Sequence, residues 1–269
     1  MRKNRLVALV DLSEETKPLY PSIQHFSALI DGDIVLAHEV TRVFPAFVDS
    51  DQKRALMSDE KKEAIKKLEL QTKAFENKAF DLMVTERNVV EFISEYTSID
   101  YDDWVVTGLK THDSIMHYFT KGTIQKIIDE TDFIKVILPC DKEITSVTKI
   151  KFATHYKFPV NYRKLETVIN ALSKKIDHIT FFTIVNDSDD ETKVNQHLEE
   201  LQSHFPNLDI KTKIIYSNNS FSEIEHVTSP ETLLIIQKGT RNLVDVISRK
   251  FTTNSVLKSK LTPLLILPS

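Results

Sequence analysis

The chain repeats one order of sequence patterns twice, and this repeat constrains the fold more than any other feature. RLVALVDL, from Arg5, corresponds to KIKFATHY, from Lys149, and DIVLAHEV corresponds to HITFFTIV in the same order. The first copy ends on FIKVILPC and the second on TPLLILPS. Each copy has the length of an ordinary single domain. We therefore predict two domains, over residues 1–140 and 148–269, joined by a short polar linker.

Continuous apolar runs alternate with segments of helical periodicity along both copies. This alternation is typical of parallel sheets that are covered by helices on both faces. The predicted class is α/β, with two doubly wound domains and five parallel strands in each. Helices are predicted after Pro18 and Pro21, and then over Ser58–Ala79, Val89–Thr97 and Thr123–Glu130. The predicted strands are Arg5–Asp11, Asp33–Val40, Phe80–Glu86, Asp103–Gly108, Phe133–Pro139, 149–154, 178–185, 208–217, 232–237 and 262–267.

Two of the four glycines lie in the stretch that follows the fourth predicted strand. Gly108 ends that strand, and Gly122 precedes Thr123 at the start of a predicted helix. Backbone N–H groups at a helix N-terminus bind anions, and glycine lets the backbone approach a phosphate closely. The spacing is therefore that of a phosphate-binding loop, although a plain strand–loop–helix connection has the same order of elements.

Composition restricts the classes of partner. The net charge of −4 argues against nucleic acid or an anionic membrane surface bound through bulk charge. No apolar run approaches the roughly 18–20 residues that span a bilayer. A single cysteine, Cys140, excludes an intrachain disulfide and suits a reducing compartment, so we expect a cytoplasmic protein. His112, Asp113 and His117 share one loop, but their spacing does not favour a metal site.

In these patterns the chain resembles the universal stress protein family. Asp11 ends strand one, Ala37-His38-Glu39-Val40 ends strand two, and Gly108-x2-Thr111 and Gly122-Thr123 follow strand four. The middle glycine of the family's loop is absent. The resemblance implies a parallel sheet of order 3-2-1-4-5 in each copy. It also implies ATP as a ligand of the first copy, held by Asp11, Val40, Gly108, Thr111, Gly122, Thr123 and Ile124.

The second copy departs from the family's nucleotide pattern. His155 stands where the first copy has Asp11, Lys238 is aligned with Gly108, and Asn254-Ser255 is aligned with Gly122-Thr123. We therefore expect this copy to have a degenerate nucleotide loop. Its basic residues, Lys238 among them, hold another anion in one interpretation and are simply solvated in the other.

Three functions agree with the resemblance. The first is a stress-response regulator or adaptor that senses ATP in its first copy, and the second is a nucleotide-free interaction module of the same fold. The third is a slow ATPase, although no catalytic motif such as a Gly-x-Ser-x-Gly elbow is present and no catalytic residue is predicted. Because single-domain members pair their fifth strands across a dimer, we expect the two copies to form an intrachain pseudo-dimer through these strands. A protein partner is expected, but the sequence does not identify it.

Overall fold

The computed structural model describes residues 2–40, 44–45, 47–73, 80–96, 100–109, 121–140, 142–217, 229–238 and 262–269. Within these ranges it contains the ten predicted strands, with ends within two residues of the prediction. The strands are Lys3–Leu9 (β1), Asp33–Glu39 (β2), Phe80–Thr85 (β3), Tyr101–Leu109 (β4), Ile134–Pro139 (β5), Lys149–Ala153 (β6), His178–Val185 (β7), Ile210–Tyr216 (β8), Thr232–Gln237 (β9) and Leu264–Leu267 (β10).

All ten strands belong to one sheet of order β3-β2-β1-β4-β5-β10-β9-β6-β7-β8. Within each half the strands are parallel and follow the predicted order, and β5 pairs antiparallel with β10, with Val136 opposite Leu265. The prediction of five parallel strands in each copy is therefore confirmed in part: the strand direction and order within each half agree, but the two sets of strands form a single sheet. They join because β5 and β10 are buried and largely apolar, and each covers the hydrogen-bonding edge that the other would expose. The domain boundaries at residues 140 and 148 stay a prediction.

Six helices lie within the described residues. They are Leu19–Ile30 (α1), Ser50–Thr72 (α2), Val89–Tyr96 (α3), Lys121–Glu130 (α4), Tyr162–Leu172 (α5) and Glu191–Ser203 (α6), with short 3-10 turns at Glu14–Thr16 and Ser173–Lys175. The prediction that α2 begins at Ser58 is wrong, because Asp49 caps the helix by accepting a hydrogen bond from Gln52 N at 2.8 Å. Only Ala64 and Leu68 of this helix are buried, so its first turns carry no apolar stripe.

The two faces of the sheet have different cores. On one face α1, α5 and α6 pack over a cluster that continues through both halves and includes Phe26, Trp104, Phe152 and Phe181. On the other face α3 and α4 cover the first half, where Ile127 packs with Val7, Leu9 and Val105. Since α4 follows β4 and returns antiparallel to it, the first turn of α4 lies at the carboxyl edge of the sheet.

The connection between the halves packs against α1. Ile144 N donates to Ser22 Oγ at 2.8 Å, and Val147 N donates to His25 Nε2 at 3.1 Å. Both Ile144 and Val147 are buried. The two halves are therefore joined by a packed segment as well as by the sheet.

Candidate functional site

Three of the residues predicted to bind nucleotide meet at one edge of the sheet. Strand β1 lies between β2 and β4, with Leu9 opposite both Ala37 and Thr107. Asp11, Val40 and Gly108 therefore lie at the carboxyl ends of three adjacent strands, where ligands bind in open parallel sheets. Thr111 lies outside the described residues.

The helix part of the predicted site is described only as backbone. Gly122, Thr123 and Ile124 lie in the first turns of α4, at the same edge as the strand ends, and their side chains are outside the described part of the chain. The position of the helix agrees with an anion site at its N-terminus.

The carboxylate of Asp11 closes the turn that follows β1. Its Oδ1 atom accepts hydrogen bonds from Ser13 N at 3.0 Å and from Ser13 Oγ at 2.6 Å. The backbone carbonyl of Asp11 also accepts a hydrogen bond from Thr16 Oγ1 at 3.1 Å. With only 3% of Asp11 exposed, the residue has a local structural role whether or not a ligand is bound.

Val40 and the neighbouring His38 are fixed by backbone contacts. Val40 N donates to Thr85 O at 2.8 Å, which ties the end of β2 to the end of β3. His38 Nδ1 lies 2.9 Å from Val10 O, and burial lowers the pKa of its imidazole. A neutral ring that donates from Nδ1 satisfies this contact. His38 therefore has a structural role in the interior, as expected for a histidine within a strand.

Gly108 has a packing reason to be glycine. A Cβ atom at this position would lie 2.3 Å from Cys140 Sγ and 3.1 Å from Leu19 Cδ2. Both side chains are buried, and they occupy the space that a side chain at residue 108 would need. The sequence indicates phosphate binding, or a plain strand–loop–helix connection, as the reason for Gly108, and it gives Cys140 no part in either. The contact joins the ends of two neighbouring strands, so no local pattern indicates it.

Thr107 is a polar residue of this edge that sequence reasoning missed. It is 2% exposed, and its Oγ1 atom makes no hydrogen bond to any described residue. Alternation along β4 places Thr107 on the same face as Val105, which packs against Ile127 of α4. Buried hydroxyl groups nearly always have a hydrogen-bond partner, but Thr183 Oγ1 on β7 of the second half likewise has none among the described residues, so this feature does not distinguish the two halves.

In the second half His155 takes over the role of Asp11. The sheet register makes them equivalent, because Val10 N donates to Ala37 O and Thr154 N donates to Phe182 O in the same way. His155 Nδ1 accepts a hydrogen bond from Lys157 N at 3.2 Å, so it also binds the N–H group two residues later. Its ring stacks on Tyr156 with a centroid distance of 4.8 Å.

His155 belongs to a polar cluster centred on Asp189. Nε2 of His155 lies 3.4 Å from Asp189 Oδ1, and Asn186 N donates to Asp189 Oδ2 at 3.0 Å. The hydrogen bond from Lys157, followed by that from Asn186 N, lowers the pKa of Asp189 to about 2. The pKa of His155 is lowered by burial despite this carboxylate. These side chains lie at the carboxyl edge of the sheet in the second half.

Gln237 closes the crevice between β6 and β9. The register makes Gln237, and not Lys238, the equivalent of Gly108, because Gly108 pairs with Leu138 of β5 and Gln237 pairs with the corresponding Leu267 of β10. The sequence alignment of Lys238 with Gly108 is thus wrong by one residue. Gln237 Nε2 donates to Pro159 O at 2.6 Å, and its Oε1 accepts from Asn161 N at 2.8 Å.

Lys238 points to the first half of the chain. Its Nζ atom donates to Asp129 O, near the end of α4. The ammonium group therefore binds a carbonyl group at an exposed position, and both interpretations of this basic loop stay predictions. Asn254 and Ser255, which the sequence aligns with Gly122 and Thr123, lie outside the described residues.

A surface cleft of 450 Å³ opens beside the candidate site at the carboxyl end of β3. Its wall includes the stacked rings of Phe92 and Tyr96, whose centroids are 5.5 Å apart. An ion pair of 2.6 Å between Lys61 and Glu86 crosses it from α2. Thr85 also lines the cleft, and its carbonyl group accepts a hydrogen bond from Val40 N. The cleft therefore adjoins the side of the site where the base of a nucleotide is expected.

The described residues contain no group of three or more His, Cys, Asp or Glu side chains arranged to hold a metal ion. His112, Asp113 and His117 lie outside these residues. None of the described helices combines the length and the apolar character needed to cross a membrane.

Comparison with known proteins gives structural relatives only. No family model matches the chain, and no curated protein matches its sequence. A universal stress protein from Archaeoglobus fulgidus DSM 4304 superposes with a TM-score of 0.66 at 13% identity, covering 100% of this chain and 99% of its own. A putative universal stress protein from Pseudomonas aeruginosa UCBPP-PA14 gives 0.53 at 12% identity, covering 99% and 93%. A functionally unknown protein from Pseudomonas aeruginosa PAO1 gives 0.53 at 10%, covering 99% and 92%. The chain therefore has the fold of the universal stress proteins.

Proposed function

We propose that this chain is a tandem universal stress protein that binds ATP at the carboxyl edge of its first half and acts as a stress-response regulator or adaptor. The observation that carries the proposal is the asymmetry between the two crevices. In the first half the ends of β1 and β4 meet at Gly108, which has no side chain that could bridge the crevice. In the second half Gln237 crosses the equivalent position to bind the loop before α5.

In the proposed site, the strand ends and the helix would bind different parts of the nucleotide. The backbone N–H groups at the start of α4, with Gly122 and Thr123, would bind the phosphates through the helix dipole. Asp11 and Val40 would lie on the base side. The second half would bind no nucleotide and would serve as the adaptor part. We also propose a cytoplasmic location, because the single cysteine has no partner for an intrachain disulfide.

A nucleotide-free interaction module is the second candidate, and two observations favour it. The carboxylate of Asp11 already accepts two hydrogen bonds from Ser13. The glycine at position 108 is explained by its contact with Cys140, without any ligand. Both features are required by the fold alone, so binding has to be measured directly.

Calorimetric titration with ATP and Mg²⁺ tests the proposal. We expect one ATP per chain, because the second crevice is closed. Thr123→Val removes a hydroxyl at the start of α4 and should weaken binding by about tenfold, the effect of losing one hydrogen bond to a charged group. The matched control is Thr192→Val, which makes the same change in the first turn of α6 in the second half.

The outcomes separate the two candidates. No heat at millimolar ATP would leave the interaction module as the function. Two ATP molecules per chain would overturn the asymmetry argument. Equal losses of affinity in Thr123→Val and Thr192→Val would show that the named helix is not the site.

A further inference from the structure

A lysine is buried in the junction between the two halves. Lys135 lies on β5, where it is opposite Ile266 of β10 and next to Val105 of β4. It is 1% exposed and is one of the largest fully buried side chains of the protein. The antiparallel pairing of β5 with β10 extends over only three residue pairs, and Lys135 belongs to one of them.

The ammonium group of Lys135 binds the end of α4. Its Nζ atom donates to Thr131 O at 2.6 Å, one residue beyond the helix. Lys238 of the second half donates to Asp129 O in the last turn of the same helix. Cations at a helix C-terminus are favourable, but a neutral carbonyl does not replace the hydration that a buried charge loses.

Charges of both signs on the surrounding elements act on Lys135. Among the described groups, Asp129 of α4 and Asp132 after it favour the protonated form, while Lys238 after β9 and Lys164 of α5 oppose it. No described carboxylate makes an ion pair with Lys135. Burial and then repulsion by Lys238 are the largest influences, and the pKa of Lys135 is lowered to about 7.

We propose that Lys135 makes the β5–β10 junction a pH-sensitive contact, which opens more readily when this side chain is protonated. Opening the junction hydrates the ammonium group and separates it from Lys238. The neutral amine still donates to Thr131 O and loses far less hydration free energy on burial than the ammonium ion does. The junction is therefore tighter on the alkaline side of neutrality and looser on the acid side, whether or not the protein binds ATP.

Linkage fixes the sign and the size of the effect. The pKa of Lys135 in the closed junction lies below its ordinary value of 10.5, so the open state takes up a proton between about pH 7 and 10.5. The closed state accordingly gains stability as pH rises through this window. Between pH 8 and pH 6 the opening equilibrium should shift by about tenfold toward the open state.

Hydrogen exchange at pH 6 and pH 8, corrected for the intrinsic exchange rate, measures the opening of β5 and β10. We expect protection of both strands to fall about tenfold at pH 6 in the unmodified protein. Lys135→Met should abolish this dependence. Lys211→Met, which removes the same charge from the exposed edge strand β8, should retain it.

NMR titration of the Lys135 side chain in the unmodified protein gives a test that does not depend on a variant folding. A pKa near 7 supports the proposal, and a pKa near the ordinary value overturns it. Protection that is equal at both pH values, or a pH dependence that persists in Lys135→Met, would also overturn it.

Discussion

The substitution Gly108→Ala separates a packing role of this glycine from a role in ligand binding. The added methyl carbon would lie 2.3 Å from Cys140 Sγ, whereas non-bonded atoms of this size rest at about 3.5–4.0 Å. The sulfur atom must therefore move by more than about 1 Å. Leu19 is only 3.1 Å from the new carbon and is itself buried, so it leaves little room for relaxation.

Overpacking of this kind destabilises a core by roughly 1–3 kcal/mol. Urea unfolding at 25 °C of the unmodified protein and of Gly108→Ala should show this loss as a lower midpoint with an unchanged slope. Cys140→Ala in the same background removes the sulfur atom and gives its space to the new methyl group. The double variant should therefore be more stable than Gly108→Ala, and the two substitutions should be strongly non-additive.

ATP titration of the same four proteins decides the functional question. If Gly108 is glycine for packing, the double variant binds ATP as the unmodified protein does. If the backbone at 108 must approach a phosphate, the double variant recovers stability but not binding. Gly108→Ala with unchanged stability, or additive losses in the double variant, would refute the packing argument.

Two further predictions concern buried and partly buried ion pairs. Asp103→Ala should lower stability by about 3–5 kcal/mol, because the Arg5 guanidinium that it binds at 2.6 Å and 3.0 Å remains buried without a counter-ion. The control Arg5→Met/Asp103→Leu leaves no buried charge, so its free energy of unfolding in urea should be much closer to that of the unmodified protein. A loss of stability equal to that of Asp103→Ala would refute this reasoning. The pKa of Asp189, lowered to about 2, predicts stability that is complete above its ordinary pKa of 3.8 and is lost as pH falls toward 2. Asp189→Asn should flatten thermal stability over that range, and an unchanged profile would show that another group titrates there.

Most of the strands were predictable because they contain a continuous apolar run bounded by polar residues. Strand β5 illustrates this, since all six residues from Ile134 to Pro139 are buried and five of them are apolar. The start of α2 was not predictable in the same way. Its first turns lack a buried face, so hydrophobic periodicity begins only at Ala64, and the cap at Asp49 gives the only local signal.

The candidate site was predictable only in part, because its residues contact residues that are far from them in the sequence. The order of strands brings Asp11 and Gly108 to one edge, and the sequence indicated both positions. The contact of Gly108 with Cys140 depends on two neighbouring strands ending level with each other, which no spacing in the sequence expresses. The position of the Thr107 hydroxyl beneath α4 likewise depends on how that helix packs on the sheet, which the sequence pattern does not specify.

The equivalence of Asp11 and His155 shows what the end of the first strand requires in each half. A carboxylate and an imidazole differ in charge and shape, yet each accepts a hydrogen bond from the N–H group two residues later. What both halves require here is a hydrogen-bond acceptor that closes the turn. An acidic residue at this position is therefore not by itself evidence of nucleotide binding. The distinction between the halves lies instead at Gly108, which has no side chain to bridge its crevice, and at Gln237, which bridges the other crevice. If the first half binds ATP, the crevice between β1 and β4 is therefore what distinguishes it from the second half, and Asp11 is not.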